Sequence, residues 1–107
     1  MDVGAVLIQL KVAVMDDVVA WQNQLNRRKH EAIETLQAEG VHVESWFHVE
    51  LDGPDYLIAY TRADDIAKAH EISRKSQFAI DQVHQQFKRT WQKVIPASLL
   101  VDLQHQK

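Results

Sequence analysis

Residues 41–62 read VHVESWFHVELDGPDYLIAYTR, and this stretch decides the fold. Side chains of two kinds alternate over 41–51 and again over 56–62, with the period of two that is typical of β-strands. Between these segments, the run DGPD at 52–55 consists of residues that favour turns. The sequence therefore predicts a β-hairpin.

The two faces of this hairpin differ in composition. In its first strand, one face carries Val43, Phe47 and Val49, and the other carries His42, Glu44, Trp46 and His48. In its second strand, one face carries Leu57 and Ala59, and the other carries Tyr56, Ile58 and Tyr60.

Alternation over residues 5–14 predicts another strand before the hairpin, with one wholly aliphatic face. An amphipathic stripe begins after Asp16 or Asp17, which is the expected N-cap, and ends at Gly40, the expected glycine C-cap. This stripe predicts one helix of about 22 residues, roughly 33 Å long.

After the hairpin, Asp64 or Asp65 is predicted to cap a second helical region. We expect an interruption at 73–76, a resumed helical stripe over 80–94, and a helix end at Pro96. Residues 98–104 alternate again and predict a last short strand.

The predicted order is strand, helix, strand, strand, helix pair, strand. Such a βαββαβ order predicts a ferredoxin-like α+β fold, with a four-stranded antiparallel sheet and helices on one face. At 107 residues, the chain has the length of one domain spanning 1–107.

Composition excludes several classes of partner. The formal net charge of −3 opposes binding to phosphate backbones, and 56–62 lacks the glycine and the basic start of an RNA-recognition motif, so no nucleic acid is predicted. No apolar run approaches the ~18 residues that span a bilayer, so no membrane contact is predicted. The absence of cysteine favours a cytoplasmic location, and we expect no signal peptide.

The face of the sheet away from the helices is predicted to be unusually apolar. If the aliphatic faces pack on the helices, this second face holds Trp46, Tyr56 and Tyr60 together with Leu7, Ile58 and Leu100. Each aromatic side chain can bury ~150–250 Å², so together they could form an apolar patch larger than the few hundred Å² that a monomer usually exposes. A second copy of the same sheet is the simplest cover, so a homodimer is predicted.

The same sequence resembles a family of small, uncharacterised bacterial proteins. The resemblance is carried by these motifs: Leu25-Asn26-Arg27-Arg28, Thr35-Leu36 with Glu39-Gly40, Val43-Glu44-Ser45, Asp55-Tyr56-Leu57, and Ile80-Asp81 with His84. That family looks like part of the dimeric α+β-barrel superfamily, in which two ferredoxin-like sheets pair around a cavity. The resemblance implies the fold and the dimer; it implies no reaction, because fold does not fix function.

Two groups of titratable side chains are candidates for a site. Asp81 and His84 are spaced i, i+3, so the aspartate could orient the imidazole as a general base, or both could be structural parts of the helix. Glu44 and His48 share a row with Trp46, and all three could line a ligand cavity or form a dimer seam. Glu44 and His48 are ~13 Å apart along a strand, so no metal site is predicted there.

Three other side chains are candidate ligand contacts. Tyr56 and Tyr60 could line a cavity, or they could pack in the dimer core with their hydroxyls in solvent. Arg28 could hold an anion, or its stem could cover the core. No nucleophile elbow, phosphate-binding glycine loop or dinucleotide fingerprint occurs, so no cofactor is predicted.

These patterns leave three functions open. The first is a homodimer that binds a small apolar or aromatic ligand between its sheets. The second is a cofactor-independent monooxygenase or isomerase with His84 as the base. The third is an interaction protein whose open faces fill each other and leave no site.

Overall fold

The computed structural model describes residues 1–105, in which four strands form one antiparallel sheet. The strands are β1 (Asp2–Leu10), β2 (Val41–Glu50), β3 (Asp55–Ala63) and β4 (Trp91–Pro96), in the order β2-β3-β1-β4. The helices are α1 (Met15–Arg27), α2 (Lys29–Glu39), α3 (Ile66–Arg74) and α4 (Ala79–Phe87), followed by a 3-10 turn at Lys88–Thr90. The predicted ferredoxin-like α+β fold is confirmed.

The core lies on the helix side of the sheet. Ile8 of β1 pairs directly with Leu57 of β3, and both side chains are almost completely buried. Burying each such side chain contributes on the order of 1.5–3 kcal/mol. Ile8 and Leu10 of the aliphatic face predicted for the first strand therefore pack under the helices, as expected. The predicted extension to residue 14 is wrong, because β1 ends at Leu10 and Val12 is 95% exposed.

The predicted long helix is two helices, because the chain leaves helical geometry at Arg28. This residue has φ −111° and ψ 33°, and it ends α1 and precedes α2. The break falls within the polar run 26–31, where no apolar side chain ties the helix to the core. Gly40 is confirmed as the C-cap, with φ 73° in the left-handed region. The predicted aspartate N-cap is wrong: Val14 precedes α1, and Asp16 lies in its first turn.

The second helical region predicted after the hairpin, with its cap and its interruption, is confirmed as far as α4. Asp65 caps α3 by accepting a hydrogen bond from the backbone N–H of Lys68 at 3.0 Å. The chain leaves helical geometry after Arg74 and returns to it at Ala79, which matches the expected interruption.

The last strand is β4, so the helical stripe predicted over 80–94 is confirmed only as far as Phe87, and the predicted strand over 98–104 is wrong. Leu10 pairs with Trp91 and Ile8 pairs with Val94, because a bulge at this point places one extra residue in β4. The bulge keeps Trp91 and Val94 on one face although they are three residues apart. That spacing imitates a helical stripe in the sequence.

The register of the hairpin reverses the faces predicted for β2. Trp46 pairs with Ala59 and His48 pairs with Leu57, so both lie on the helix side, as does Glu44. Trp46, Glu44 and His48 are therefore not on the second face of the sheet. Phe47 lies on the second face instead, because it pairs with Ile58 and directly paired residues share a face. A shift of one residue in the pairing exchanges the two faces of a strand.

Residues 97–105 form an irregular segment, here called the C-terminal arm. Its Asp102 accepts a hydrogen bond from Arg62 of β3 at 2.6 Å, which ties the arm to the sheet. The apolar side chains of the arm stay exposed, including Leu100 at 91% and Leu103 at 87%. None of the helices over residues 1–105 has the length and apolar character needed to cross a membrane.

Candidate functional site

Five rings on the helix side of the sheet form an aromatic cluster, which consists of Trp21, Trp46, His84, Phe87 and Trp91. Trp21 of α1 stacks on Phe87 of α4 with ring centroids 4.0 Å apart and planes 6° apart. Trp46 meets Trp21 edge-on at 5.2 Å and His84 at 5.4 Å. Such arrangements stabilise aromatic groups beyond the area that they bury. The cluster joins α1, α4, β2 and β4 at one point.

His84 is the polar ring of this cluster. Burial among the aromatic side chains, and then the positive charge of Lys88, lower the pKa of His84 to about 4. The imidazole is therefore neutral at physiological pH, and it offers one donor and one acceptor nitrogen.

The charges of three acidic side chains act on one another next to Trp46, and we call Glu39, Glu44 and Asp81 the carboxylate cluster. Glu44 accepts a hydrogen bond from the indole nitrogen of Trp46 at 2.8 Å. Desolvation, and then the charges of Asp81 and Glu44, raise the pKa of Glu39 to about 7. Desolvation also raises the pKa of Glu44, although this side chain keeps contact with solvent. Like charges held together in this way disfavour ionisation.

Some buried polar atoms near the two clusters have no hydrogen-bond partner within residues 1–105. These atoms are Trp21 Nε1, Trp91 Nε1 and Asp81 Oδ2. Buried polar groups are almost always hydrogen-bonded, so unpaired atoms mark places where a further group can bind.

The predicted pair of Asp81 and His84 shares a face of α4 but divides between the two clusters. Asp81 faces the carboxylates of Glu39 and Glu44, whereas His84 faces the indoles. In the described part of the chain, no hydrogen bond joins the two side chains. The predicted orientation of the imidazole by Asp81 therefore has no geometric support.

The other predicted site residues lie elsewhere. His48 is bonded to Asp55 at 2.9 Å beside the hairpin turn, and Arg28 is paired with the exposed Glu31 at 2.7 Å. Tyr56 and Tyr60 lie on the opposite side of the sheet from the two clusters.

The side of the sheet away from the helices, here called the open face, is the second candidate surface. It carries Val3, Ala5, Leu7, Gln9, Val43, Ser45, Phe47, Val49, Tyr56, Ile58, Tyr60, Arg62, Lys93 and Ile95. Phe47 on the edge strand β2 is 56% exposed, Val43 and Val49 are exposed on the same strand, and Ile95 is exposed on β4 at the opposite edge of the sheet. The face is therefore at least as apolar as predicted, although Phe47 replaces Trp46.

No group of three or more histidine, cysteine, aspartate or glutamate side chains over residues 1–105 is arranged to hold a metal ion. Sequence reasoning missed Trp21, Trp91 and Glu39 as site residues. In the sequence, Trp21 and Trp91 fit helical apolar stripes, which predicts that they are core residues. Glu39 precedes Gly40, so its position indicates only the end of a helix. The correct hairpin register would have brought Glu44 and Trp46 to the same side as α4.

Comparisons with known proteins agree with this fold. A family model described as "Family of unknown function (DUF6176)" matches residues 1–107. A solved structure described as the crystal structure of antibiotic biosynthesis monooxygenase aligns with a TM-score of 0.57 and 14% identity, covering 92% of this chain and 98% of that chain. At this identity, the likeness shows the shared fold alone. None of the curated proteins matches the chain. The chain has a ferredoxin-like α+β fold and belongs to the family of unknown function DUF6176.

Proposed function

We propose that the chain acts in the cytoplasm as a homodimer that binds a small apolar or aromatic molecule, with two copies paired through their open faces. One observation carries the dimer: Phe47, Ile58, Leu7 and Ile95 form an apolar row across all four strands, and Phe47 and Ile95 at its two ends are exposed, as are Val43 and Val49 beside Phe47. Contiguous apolar surfaces of this kind mark interaction sites, and a second copy needs only a self-complementary face.

The size of the open face supports this pairing. Four strands about 4.8 Å apart and about 30 Å long offer a face of roughly 600 Å². A standard interface buries about 800 Å² on each partner. The exposed leucines of the C-terminal arm can supply the remaining area, because Asp102 holds the arm beside Arg62 of the open face.

The ligand is proposed to lie between the paired sheets, next to Tyr56 and Tyr60. Both tyrosines are partly buried on the open face, and the Tyr60 hydroxyl accepts a hydrogen bond from Arg62. Twisted sheets that pair face to face leave space between them, and phenol groups combine apolar area with a polar tip. Such a space suits an apolar molecule with one hydrogen-bonding group.

The alternative function, an enzyme with His84 as general base, has less support. A general base works best with a pKa near the operating pH, and His84, with a pKa of about 4, is a weak base at neutral pH. This difference favours binding over proton abstraction.

Sedimentation equilibrium of the full chain and of Phe47→Lys tests the dimer. We expect twice the protomer mass of 12.4 kDa for the native chain and the protomer mass for Phe47→Lys. Val19→Lys is the matched control, because Val19 is an exposed apolar residue of α1, and it should remain dimeric. A native chain that sediments as a protomer at micromolar concentration would refute the dimer.

Native mass spectrometry with 1-naphthol as the probe tests the ligand. We expect a naphthol adduct on the dimer, and a weaker adduct when Tyr56→Phe and Tyr60→Phe remove the hydroxyls. A dimer that takes up no naphthol at any concentration short of unfolding would leave the open faces as an interface without a site, and the ligand proposal would fail.

A further inference from the structure

We propose that the carboxylate cluster binds a small organic cation, an ammonium group on an apolar stem, at the junction of α2, β2 and α4. This site is separate from the dimer and from the space between two open faces, because Glu44 lies on the helix side of β2. The proposal stands on charge, burial and the neighbouring indole ring.

The negative charge of the cluster has no matching positive charge. Within residues 1–105, no lysine or arginine forms an ion pair with Glu39, Glu44 or Asp81. His70 of α3 is the basic side chain that acts on Glu44, and it lowers the pKa of Glu44 only in part against burial. Carboxylates held together without a counter-charge cost stability, so a cation that binds there relieves the repulsion.

Asp81 is the member of the cluster that points to a ligand. Its side chain is only 8% exposed, and its Oδ2 atom has no hydrogen-bond partner among the described residues. The charge of Asp81 contributes to the raised pKa of both Glu39 and Glu44, so the carboxylates repel one another. An ammonium group brings up to three N–H donors, and one of them can satisfy this oxygen.

The spacing of the carboxylates favours an organic cation over a metal ion. The described side chains include no group of three arranged to hold a metal. An ammonium group makes longer contacts than a metal ion, and its donors point in different directions, so it can join carboxylates that one metal ion cannot.

Trp46 supplies the apolar part of the site. Its indole N–H donates to Glu44 Oε1 at 2.8 Å, which places the ring against the cluster. Aromatic faces attract ammonium groups and also pack against an apolar stem. The ligand class is therefore an amine with an aromatic or aliphatic stem.

A cleft of about 270 Å³ opens beside Glu39, the member of the carboxylate cluster that lines it. It lies between the end of α2 and the start of α3, and its lining includes Glu39, Gly40, Asp64, Asp65 and Lys68. Of its eight lining residues, three are acidic and one is basic, which favours the entry of a cation over that of an anion.

Titration of the full chain with benzylamine at neutral pH tests the site, with benzyl alcohol as the uncharged match. Calorimetry measures the affinity, and the NMR signal of the Trp46 indole N–H reports the location. We expect benzylamine alone to bind and to move this signal. Glu44→Gln and Asp81→Asn should each weaken binding at least about tenfold, because each removes a charge-assisted hydrogen bond. Glu50→Gln, an exposed change on the same strand, should leave the affinity unchanged.

A second measurement separates a ligand site from a structural role. Without amine, Asp81→Asn and Glu44→Gln should unfold at a higher temperature than the native chain, because each relieves repulsion. A structural carboxylate would give a lower midpoint. Phe47→Lys should leave benzylamine binding intact, so failure of the dimer and failure of this site are distinguishable.

Three results would overturn the proposal. One is equal affinity for benzylamine and benzyl alcohol. Another is unchanged benzylamine affinity in Glu44→Gln, whose partly exposed side chain makes it the variant safest for folding. The third is displacement of bound benzylamine by an equal concentration of Mg²⁺, which would identify a metal site.

Discussion

At the scale of single residues, His84 and Glu39 act on stability in opposite directions. The folded state holds His84 neutral and Glu39 protonated over part of the same pH range, since the pKa of His84 falls from 6.5 to about 4 and that of Glu39 rises from 4.5 to about 7. Where the unfolded state binds more protons, stability rises with pH; where the folded state binds more, stability falls.

The first prediction is that these two effects partly cancel in the native chain. Between pH 4.5 and 6.5, His84 makes the free energy of unfolding rise with pH, and Glu39 makes it fall. Each effect is at most on the order of 1.4 kcal/mol per pH unit, and smaller for Glu39 because its side chain is partly in water.

Urea unfolding at a series of pH values measures this balance. We expect a shallow profile for the native chain, a profile that rises with pH for Glu39→Gln, and one that falls with pH for His84→Gln. Parallel profiles for all three proteins would contradict the prediction.

At the scale of secondary-structure elements, Gly40 joins α2 to β2 in a conformation that L side chains rarely adopt. Its φ is 73°, and a Cβ atom at this position would lie 3.3 Å from Asp64 Oδ2. The next strand begins at Val41, so the angle between α2 and the sheet depends on this residue.

The second prediction concerns this junction. Gly40→Ala should lower the free energy of unfolding by about 1–2 kcal/mol, the cost of the left-handed conformation for an L residue. Gly40→Asn should lower it less, because asparagine tolerates this conformation better. Denaturant unfolding measures both, and an alanine variant as stable as the native chain would exclude a conformational role for Gly40.

The order of elements was predictable from sequence, and the errors have local causes. The hairpin, the Gly40 and Asp65 caps and the break after Arg74 each depend on residues close in sequence, which is why they were predicted correctly. The position of β4 depends on a bulge, and the faces of β2 depend on the pairing of Glu50 with Asp55. Both are set by contacts with another strand, and a single sequence does not contain them.

The errors in the faces of β2 and in the position of β4 also limited how much of the candidate site could be predicted. His84, Asp81, Trp46 and Glu44 were chosen for their chemistry, and the structure brings these four together at the two clusters. The location of Trp46 and Glu44 on the helix side is not predicted, because the sequence pattern places Val43, Phe47 and Val49 of β2 on that side instead. Trp91 was missed because the bulge gave it helical spacing.

At the scale of the whole molecule, the C-terminal arm and the open face expose apolar side chains next to each other. Arg62 links them, since it bonds both Tyr60 of the sheet and Asp102 of the arm. An arm that is tied down by one ion pair while its leucines remain in water is better suited to contact with a second copy than to stabilising its own protomer.

The third prediction tests this arrangement. Leu100→Ser and Leu103→Ser together should leave the unfolding free energy of the protomer, measured in the Phe47→Lys background, within about 0.5 kcal/mol, because both side chains are exposed. The same pair in the native background should weaken dimerisation, measured as a higher dissociation constant by sedimentation. Equal dissociation constants would exclude the arm from the interface.

The aromatic cluster also gives the molecule a built-in optical reporter. The sequence has three tryptophans, and all of them belong to this cluster, whereas both tyrosines lie on the other side of the sheet. Indole emission from this chain therefore comes from a single spot, and excitation energy can pass between rings only 5–6 Å apart. The wavelength and intensity of this emission will respond to structural changes around His84 and Glu44, and they will respond little to changes around the tyrosines.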